Sequence, residues 1–253
     1  MRILTFCDMG IGNTIWYLPV LRGLSKHDLT VVCPNQELRH FIDYNINCNF
    51  KVQGRYDVSV NNFLSQRAQQ MKQILGIPKR IGHDWIERRK FVFAFTDKIK
   101  MDKDKHEQIY NNMLLDPLGL KAYAGTIKYP DISNIPEYDI LLSTKSANPA
   151  KDWQHWDELI KRLKDYKIKI LVPGEYPLLV VTTMISKCKL FISNDSGLVK
   201  ISDNLGIPSI QIFRWWTDCF VRCKILFGTN LIEPSLEEVL IEVFHKIKLN
   251  KAV

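Results

Sequence analysis

The chain's sequence predicts an α/β architecture of two Rossmann-like, doubly wound parallel-sheet domains facing a central cleft, residues 1–130 forming one and 131–253 the other. Three observations predict it. Short apolar runs alternate with helix-period segments, as strands joined by crossover helices do. The alternation breaks at Tyr129-Pro130-Asp131-Ile132-Ser133-Asn134-Ile135-Pro136, where two prolines and several turn formers separate periodic segments, and then restarts. In the second half, Phe191-Ile192-Ser193 runs through Asn194-Asp195-Ser196-Gly197 into a helix-period stretch that Gly206 closes, and 208–213 reads as the next buried strand, a complete βαβ unit.

Taken in order, residues 2–8 read as a buried strand and 10–12 as a turn containing Gly10 and Gly12. Residues 13–27 read as a helix with Ile15, Leu18, Leu21 and Leu24 on one side and Pro19 as a candidate kink. A strand at 29–33, a helix at 35–44 capped by Asn35 and a weaker strand at 50–53 follow. The middle, 61–121, reads as mostly helical, best at 64–75 and 107–118. Between those stretches Arg88-Arg89-Lys90-Phe91-Val92-Phe93-Ala94-Phe95 is basic and then aromatic, which fits either a core-facing element or a surface on which nucleic-acid bases stack. Beyond the connection, strands fall at 139–143, 168–172, 190–193 and 209–213, with helices at 153–163, at 177–187 and from 196. A last amphipathic helix at about 235–248 has Pro234 before it and Glu237 and Glu238 in its first turn.

With 46% hydrophobic and 25% charged residues the 253-residue chain has the balance of a globular protein, which excludes a disordered or low-complexity one. Asp8 interrupts the first apolar run too early for a signal peptide, and nowhere do about 18 apolar residues run together, so a cytoplasmic protein is expected. Of six cysteines, Cys7, Cys33 and Cys188 lie in or beside apolar segments and read as buried thiols. Cys219 and Cys223, four apart, share a helical face without the second pair or histidine that a zinc site needs, so no metal is expected. The net charge of +8 gathers at Lys79-Arg80, Arg88-Arg89-Lys90, 98–105 and 246–251. It favours a polyanionic partner such as nucleic acid, anionic lipid or a phosphorylated glycan. Interleaved Asp84, Glu87, Asp97, Asp102 and Asp104 equally fit a solvated face.

A strand that runs through Asn194-Asp195-Ser196-Gly197 straight into a helix points unpaired backbone N–H groups, and the positive end of the helix dipole, at the carboxyl edge of the sheet. Phosphate groups sit well there, and open α/β sheets bind their ligands beyond that edge. An ordinary helix cap is the alternative reading of the same residues.

These residues, with others spread along the chain, resemble glycosyltransferase family 9, the heptosyltransferases that build the inner core of bacterial lipopolysaccharide on a GT-B fold. Met1-Arg2-Ile3-Leu4, Gly10-Ile11-Gly12-Asn13 and Leu18-Pro19-Val20-Leu21 resemble the family's opening strand, glycine turn and first helix. His106-Glu107 through Leu118-Gly119 resembles its helix before the domain crossover, and Lys151-Asp152-Trp153 with Trp156, Leu159 and Ile160 the start of donor binding. Asn194-Asp195-Ser196-Gly197 through Gly206-Ile207-Pro208 resembles its most specific signature. The resemblance runs nearly end to end, in a chain shorter than typical members whose amino-terminal half reads as trimmed.

The resemblance implies an inverting, metal-independent and cofactor-free transferase. Its second domain holds a nucleotide-diphosphate sugar of the ADP-heptose kind, and its first docks a saccharide or glycolipid acceptor, such as lipopolysaccharide core, beside Gly10 and Gly12. Lys151 and the amides of Ser196 and Gly197 would meet the diphosphate next to Asp195, and Glu175 would accept from ribose hydroxyls. Peripheral contact with a membrane is compatible with such acceptors. Two departures stand out. Lys200 occupies the place of a family histidine, and it can meet phosphate but cannot act as a neutral imidazole donor near pH 7. Asn13 replaces the aspartate proposed as general base, and an amide cannot take the acceptor's proton. Asp8, at the end of the first strand, is the candidate replacement, with a turn aspartate as its other reading. Asn13 thus leaves open a non-catalytic sugar-nucleotide or glycan binder, and the basic charge a transferase acting on DNA.

Overall fold

The computed structural model describes residues 1–42, 46–65, 68–84, 93–102, 104–214 and 220–251. It divides into two compact units, Met1–Lys128 and Tyr129–Val253.

The first unit is built on a six-stranded, wholly parallel sheet. Its strands are β1 (Arg2–Phe6), β2 (Asp28–Val32), β3 (Asn47–Asn49), β4 (Val58–Asn61), β5 (Lys79–Asp84) and β6 (Asp97–Lys100), in the order β3-β2-β1-β4-β5-β6. That 3-2-1-4-5-6 order is the Rossmann arrangement, and it reverses direction between β1 and β4. Central β1 is apolar on both faces because helices cover both, and Ile3, Leu4 and Phe6 are 0–1% exposed. Helix α1 (Ile11–Leu24) is buried nearly all round, so it shows no polar face.

The second unit carries five parallel strands: β7 (Tyr138–Ser143), β8 (Ile168–Ile170), β9 (Cys188–Asn194), β10 (Ser209–Phe213) and β11 (Thr229–Ile232), in the order β11-β10-β9-β7-β8. Read from β8 this is the 2-1-3-4-5 order of flavodoxin-like sheets, with its switch point between β7 and β9. The unit's helices are α5 (Trp156–Arg162), α6 (Leu178–Ser186), α7 (Gly197–Asn204), the one-turn α8 (Phe220–Cys223) and α9 (Leu236–Lys251). Ile140, Leu142, Leu190, Ile192, Ile210 and Ile212 meet Trp153, Trp156, Val239 and Val243 in one core. Gly206, at φ +72°, ends α7 in the left-handed conformation that glycine adopts without strain.

The α/β class and the two parallel sheets agree with the expectation. The middle of the first unit corrects it: 61–121 is not mostly helical, because β5 and β6 lie there beside the short helices α3 (Ala68–Ile74) and α4 (Glu107–Asn112). Helix α1 begins at Ile11, so Gly10 is its amino-terminal cap residue and Gly12 lies inside its first turn. Asn35 does cap α2 (Gln36–Arg39), its Oδ1 accepting from the Glu37 N–H at 2.9 Å, but that helix is a single turn. The third strand sits at Asn47–Asn49 rather than at 50–53. Cys7, Cys33 and Cys188 are buried free thiols. Arg88, Arg89, Lys90, Phe91, Val92 and Cys219 lie outside the described residues.

Candidate functional site

In the second unit, the carboxyl ends of β7 and β9 flank the switch point, where an open parallel sheet leaves a crevice. The chain leaving β7 forms a 3-10 turn, Pro149–Lys151, capped by Asn148, whose Oδ1 accepts from the Ala150 N–H at 3.1 Å. The chain leaving β9 passes through Asp195 and Ser196 into α7.

Asn194, fully buried at the end of β9, joins the two segments. Its Oδ1 accepts from the Trp153 N–H at 3.0 Å and the Trp156 indole at 3.3 Å, while its Nδ2 donates to the Thr144 carbonyl at 2.9 Å and to Asp152 Oδ1 at 3.2 Å. Asp152 Oδ1 also accepts from the Ser146 N–H at 2.8 Å and its hydroxyl at 3.0 Å. One buried amide thereby fixes the loop that presents Lys151.

Lys151 Nζ lies 2.7 Å from Asp195 Oδ2 with a quarter of its side chain exposed, so it faces the start of α7. Asp195 Oδ1 accepts from Gln211 Nε2 at 2.7 Å and pairs with Lys200 at 3.4 Å. Ser196 makes no side-chain cap to α7; its hydroxyl turns instead to Ser193 Oγ at 2.8 Å. Asp195, Ser196, Gly197 and Leu198 are half-buried. The first turn of α7 therefore combines helix-end amides, a fixed carboxylate and a lysine ammonium, a set suited to an anion flanked by hydroxyl groups.

Lys200 sits differently from Lys151. It is 3% exposed, and its ammonium donates to the Cys223 carbonyl as well as pairing with Asp195. Burial pulls its pKa down, with Asp195 acting in the opposite direction. It braces Asp195 from inside the unit. Glu175 follows β8 beyond Gly174, exposed, with Lys169 Nζ 3.2 Å from its Oε1. A hydrogen bond with Tyr176, and then Lys169, lower its pKa.

In the first unit, Asp8 lies just past β1, and its Oδ2 accepts from Gln70 Nε2 at 2.5 Å. Asn13, in the first turn of α1, places its amide nitrogen 2.9 and 3.0 Å from the two carboxylate oxygens of Glu107. Glu107 is 2% exposed, so a buried carboxylate stands directly behind the amide. Gly10 has open space, a Cβ there meeting only the Asn13 amide, at 4.0 Å. Sequence reasoning missed Glu107, Gln211 and the joining role of Asn194. Only Asn194 carried a signal, its place at the end of a buried strand.

No protein-family model and no curated protein matches the chain. Solved structures do. ADP-heptose lipopolysaccharide heptosyltransferase II from E. coli superposes with a TM-score of 0.75 at 16% identity, over 99% of this chain and 100% of that one. E. coli heptosyltransferase WaaC with ADP gives 0.75 at 14% identity, over 97% and 100%. A family 9 glycosyl transferase from Veillonella parvula gives 0.71 at 16% identity, over 97% of each chain. The chain has the fold of the family 9 glycosyltransferases, with each unit a Rossmann-like parallel sheet.

Proposed function

We propose that the chain is a glycosyltransferase that moves a sugar from a nucleotide-diphosphate donor of the ADP-heptose kind to a saccharide acceptor such as lipopolysaccharide core, with inversion and without a metal. The observation that carries this reading is the 2.7 Å pair of Lys151 with Asp195 at the amino end of α7, on the switch point of a parallel sheet. A pyrophosphate against the amides of Ser196 and Gly197 takes the positive end of the helix dipole, and Lys151 adds a mobile point charge. Both act on the charge that grows on the leaving phosphate. Glu175 accepts from the ribose hydroxyls, and Lys200 contributes through Asp195. Asp8 takes the acceptor hydroxyl's proton, with Gln70 orienting its carboxylate. Support comes from the fold shared with heptosyltransferases, one of them solved with ADP.

Asn13 favours a second reading, a non-catalytic binder of sugar nucleotides, because its amide takes no proton and covers the buried carboxylate of Glu107. One experiment separates the two. The purified chain is titrated with ADP-heptose, ADP and UDP-glucose, and nucleotide release is followed with and without deacylated core oligosaccharide. The transferase reading expects ADP release that needs the oligosaccharide, with nucleotide affinity falling about tenfold, 1.4 kcal/mol, in Lys151→Ala. Donor binding without release supports the binder; loss of release in Asp8→Asn excludes it. A chain that binds no nucleotide has neither function.

A further inference from the structure

The second unit carries an apolar surface at the carboxyl end of α7, the end of that helix away from the candidate nucleotide site. Phe227 leaves 81% of its surface in solvent, with Leu226 at 44% and Leu249 at 55%. Phe227 and Leu249 join Ile207, Pro208 and Lys246 around an open depression of about 210 Å³.

This exposure is held in place. Asp203, 5% exposed at the carboxyl end of α7, accepts from three consecutive backbone N–H groups: Leu226 at 2.8 Å, Phe227 at 2.7 Å and Gly228 at 3.2 Å. The preceding Ile225 N–H donates to Gln211 Oε1 and Asn230 Oδ1, each at 2.9 Å. A buried carboxylate bonded to three successive amides fixes a loop firmly, and the side chain it presents is a phenylalanine.

Helix α9 extends the same character. Val239, Leu240, Val243 and Ile247 face the core, yet Ile241 at 69% and Phe244 at 38% stay exposed together with Leu249. A surface helix is normally polar on its outer side, and apolar groups on both sides call for a second partner. The charge near the loop and the last turns of α9 is mainly positive; Glu242 pairs with Lys246 at 3.5 Å, and Glu237 and Glu238 lie at the start of the helix. Residues 220–228 and 243–251 contain Arg222, Lys224, Lys246, Lys248 and Lys251 and no aspartate or glutamate.

We propose that this face of the second unit, Phe227 with Leu226, Leu249 and the exposed side of α9, docks on an anionic lipid surface. Aromatic and aliphatic side chains enter the boundary between headgroups and acyl chains, while lysines meet lipid phosphates. Lysine is depleted at protein–protein interfaces, whereas here it rims the apolar patch. No helix among the described residues is long and apolar enough to cross a membrane, so the contact is a peripheral one.

The test is co-sedimentation of the full chain with phosphatidylcholine vesicles made with and without phosphatidylglycerol, at low and high salt. Sedimentation velocity without lipid runs alongside. Binding is expected only with phosphatidylglycerol, falling as salt rises, and falling about fivefold in Lys248→Gln, as one surface lysine contributes. Phe227→Asp should abolish it with an unchanged far-UV spectrum, since the side chain packs against little. Equal binding to both vesicles, absence of binding, or full binding by Phe227→Asp overturns the proposal. A wild-type dimer that Phe227→Asp dissolves also overturns it, by assigning the patch to a second copy. None of these outcomes depends on whether the chain binds a nucleotide.

Discussion

His83, near the end of β5, gives the first unit an acid sensitivity that can be calculated. The ring is fully buried; its Nδ1 accepts from the Phe63 N–H at 3.2 Å, and its Nε2 donates to the Tyr110 carbonyl at 2.9 Å. Those partners require a neutral ring with its proton on Nε2, because a backbone N–H cannot accept and a carbonyl cannot donate. Burial lowers the pKa from the ordinary 6.5 to about 4, against the smaller opposing effect of the Tyr110 carbonyl. The folded value lies below the unfolded one, so between them the unfolded chain binds the proton and the folded chain does not. Stability is complete above pH 6.5 and is lost as pH falls from 6.5 to 4. At about 1.4 kcal/mol per pH unit the full loss is about 3 kcal/mol, of which about 2 kcal/mol has gone by pH 5. The assay is urea denaturation of the wild type and His83→Gln at pH 7 and pH 5, read as the change in stability of each protein between the two conditions. Glutamine offers one acceptor and one donor but does not titrate. Carboxylates with lowered pKa, such as Asp139 beside Lys189, lose their contribution only below about pH 4 and do so in both proteins. The wild type should lose about 2 kcal/mol more than the variant. Equal losses would mean that the ring is charged in the native state and that the tautomer assignment is wrong.

Three other perturbations test particular contacts. Asp203→Asn keeps the shape but removes the charge that holds the amides of Leu226, Phe227 and Gly228; thermal melting should show a loss of about 2 kcal/mol, as for charge-assisted bonds in a buried setting. Gly82→Ala would bring a methyl group 2.4 Å from the Phe95 ring, and chemical denaturation should show a cost of about 1–3 kcal/mol from overpacking. Asn13→Asp sets a second carboxylate about 3 Å from Glu107, close enough for the pair to share one proton. Its stability in chemical denaturation should therefore fall as pH rises from 5 to 8, by on the order of 2 kcal/mol, and Asn13→Asp with Glu107→Gln should abolish that dependence.

Much of the fold was legible because parallel strands covered on both faces read as unbroken apolar runs. Ile3, Leu4 and Phe6 in β1, and Leu190, Phe191 and Ile192 in β9, lie at the middle of their sheets. Edge strands escaped for the opposite reason. β6 reads Asp97-Lys98-Ile99-Lys100 and alternates between half-buried and exposed, with the charged side chains that protect a sheet edge. β11, at the edge of the second sheet, is likewise at most half-buried. β5 pairs on both sides, yet four of its six residues, Lys79, Arg80, His83 and Asp84, are polar or charged, and its core contact runs through Ile81, Gly82 and a buried neutral histidine. Periodicity cannot distinguish such a strand from a charged helix turn.

The site divides in the same way. Local motifs show where a strand ends and a helix begins, so Asp195, Ser196 and Gly197 could be read directly, and Lys151 by its place in a resembling stretch. A charge that acts through another residue has no local signature. Lys200, one turn into α7, looks like a phosphate ligand in the sequence, but its helical position turns it inward beneath Asp195. Glu107 lies 94 positions from Asn13, and only the packing of α4 on α1 brings its carboxylate to that amide. Position 13 itself carries no acid, and a buried carboxylate stands one side chain deeper. A carboxylate behind an amide orients it and draws positive charge toward the turn, but it takes no proton from solvent directly. Under the proposed transferase reading the half-buried Asp8 accepts the proton, and a nucleotide-release assay on Asp8→Asn with Glu107→Gln beside it separates the group that accepts the proton from the one that positions its neighbour.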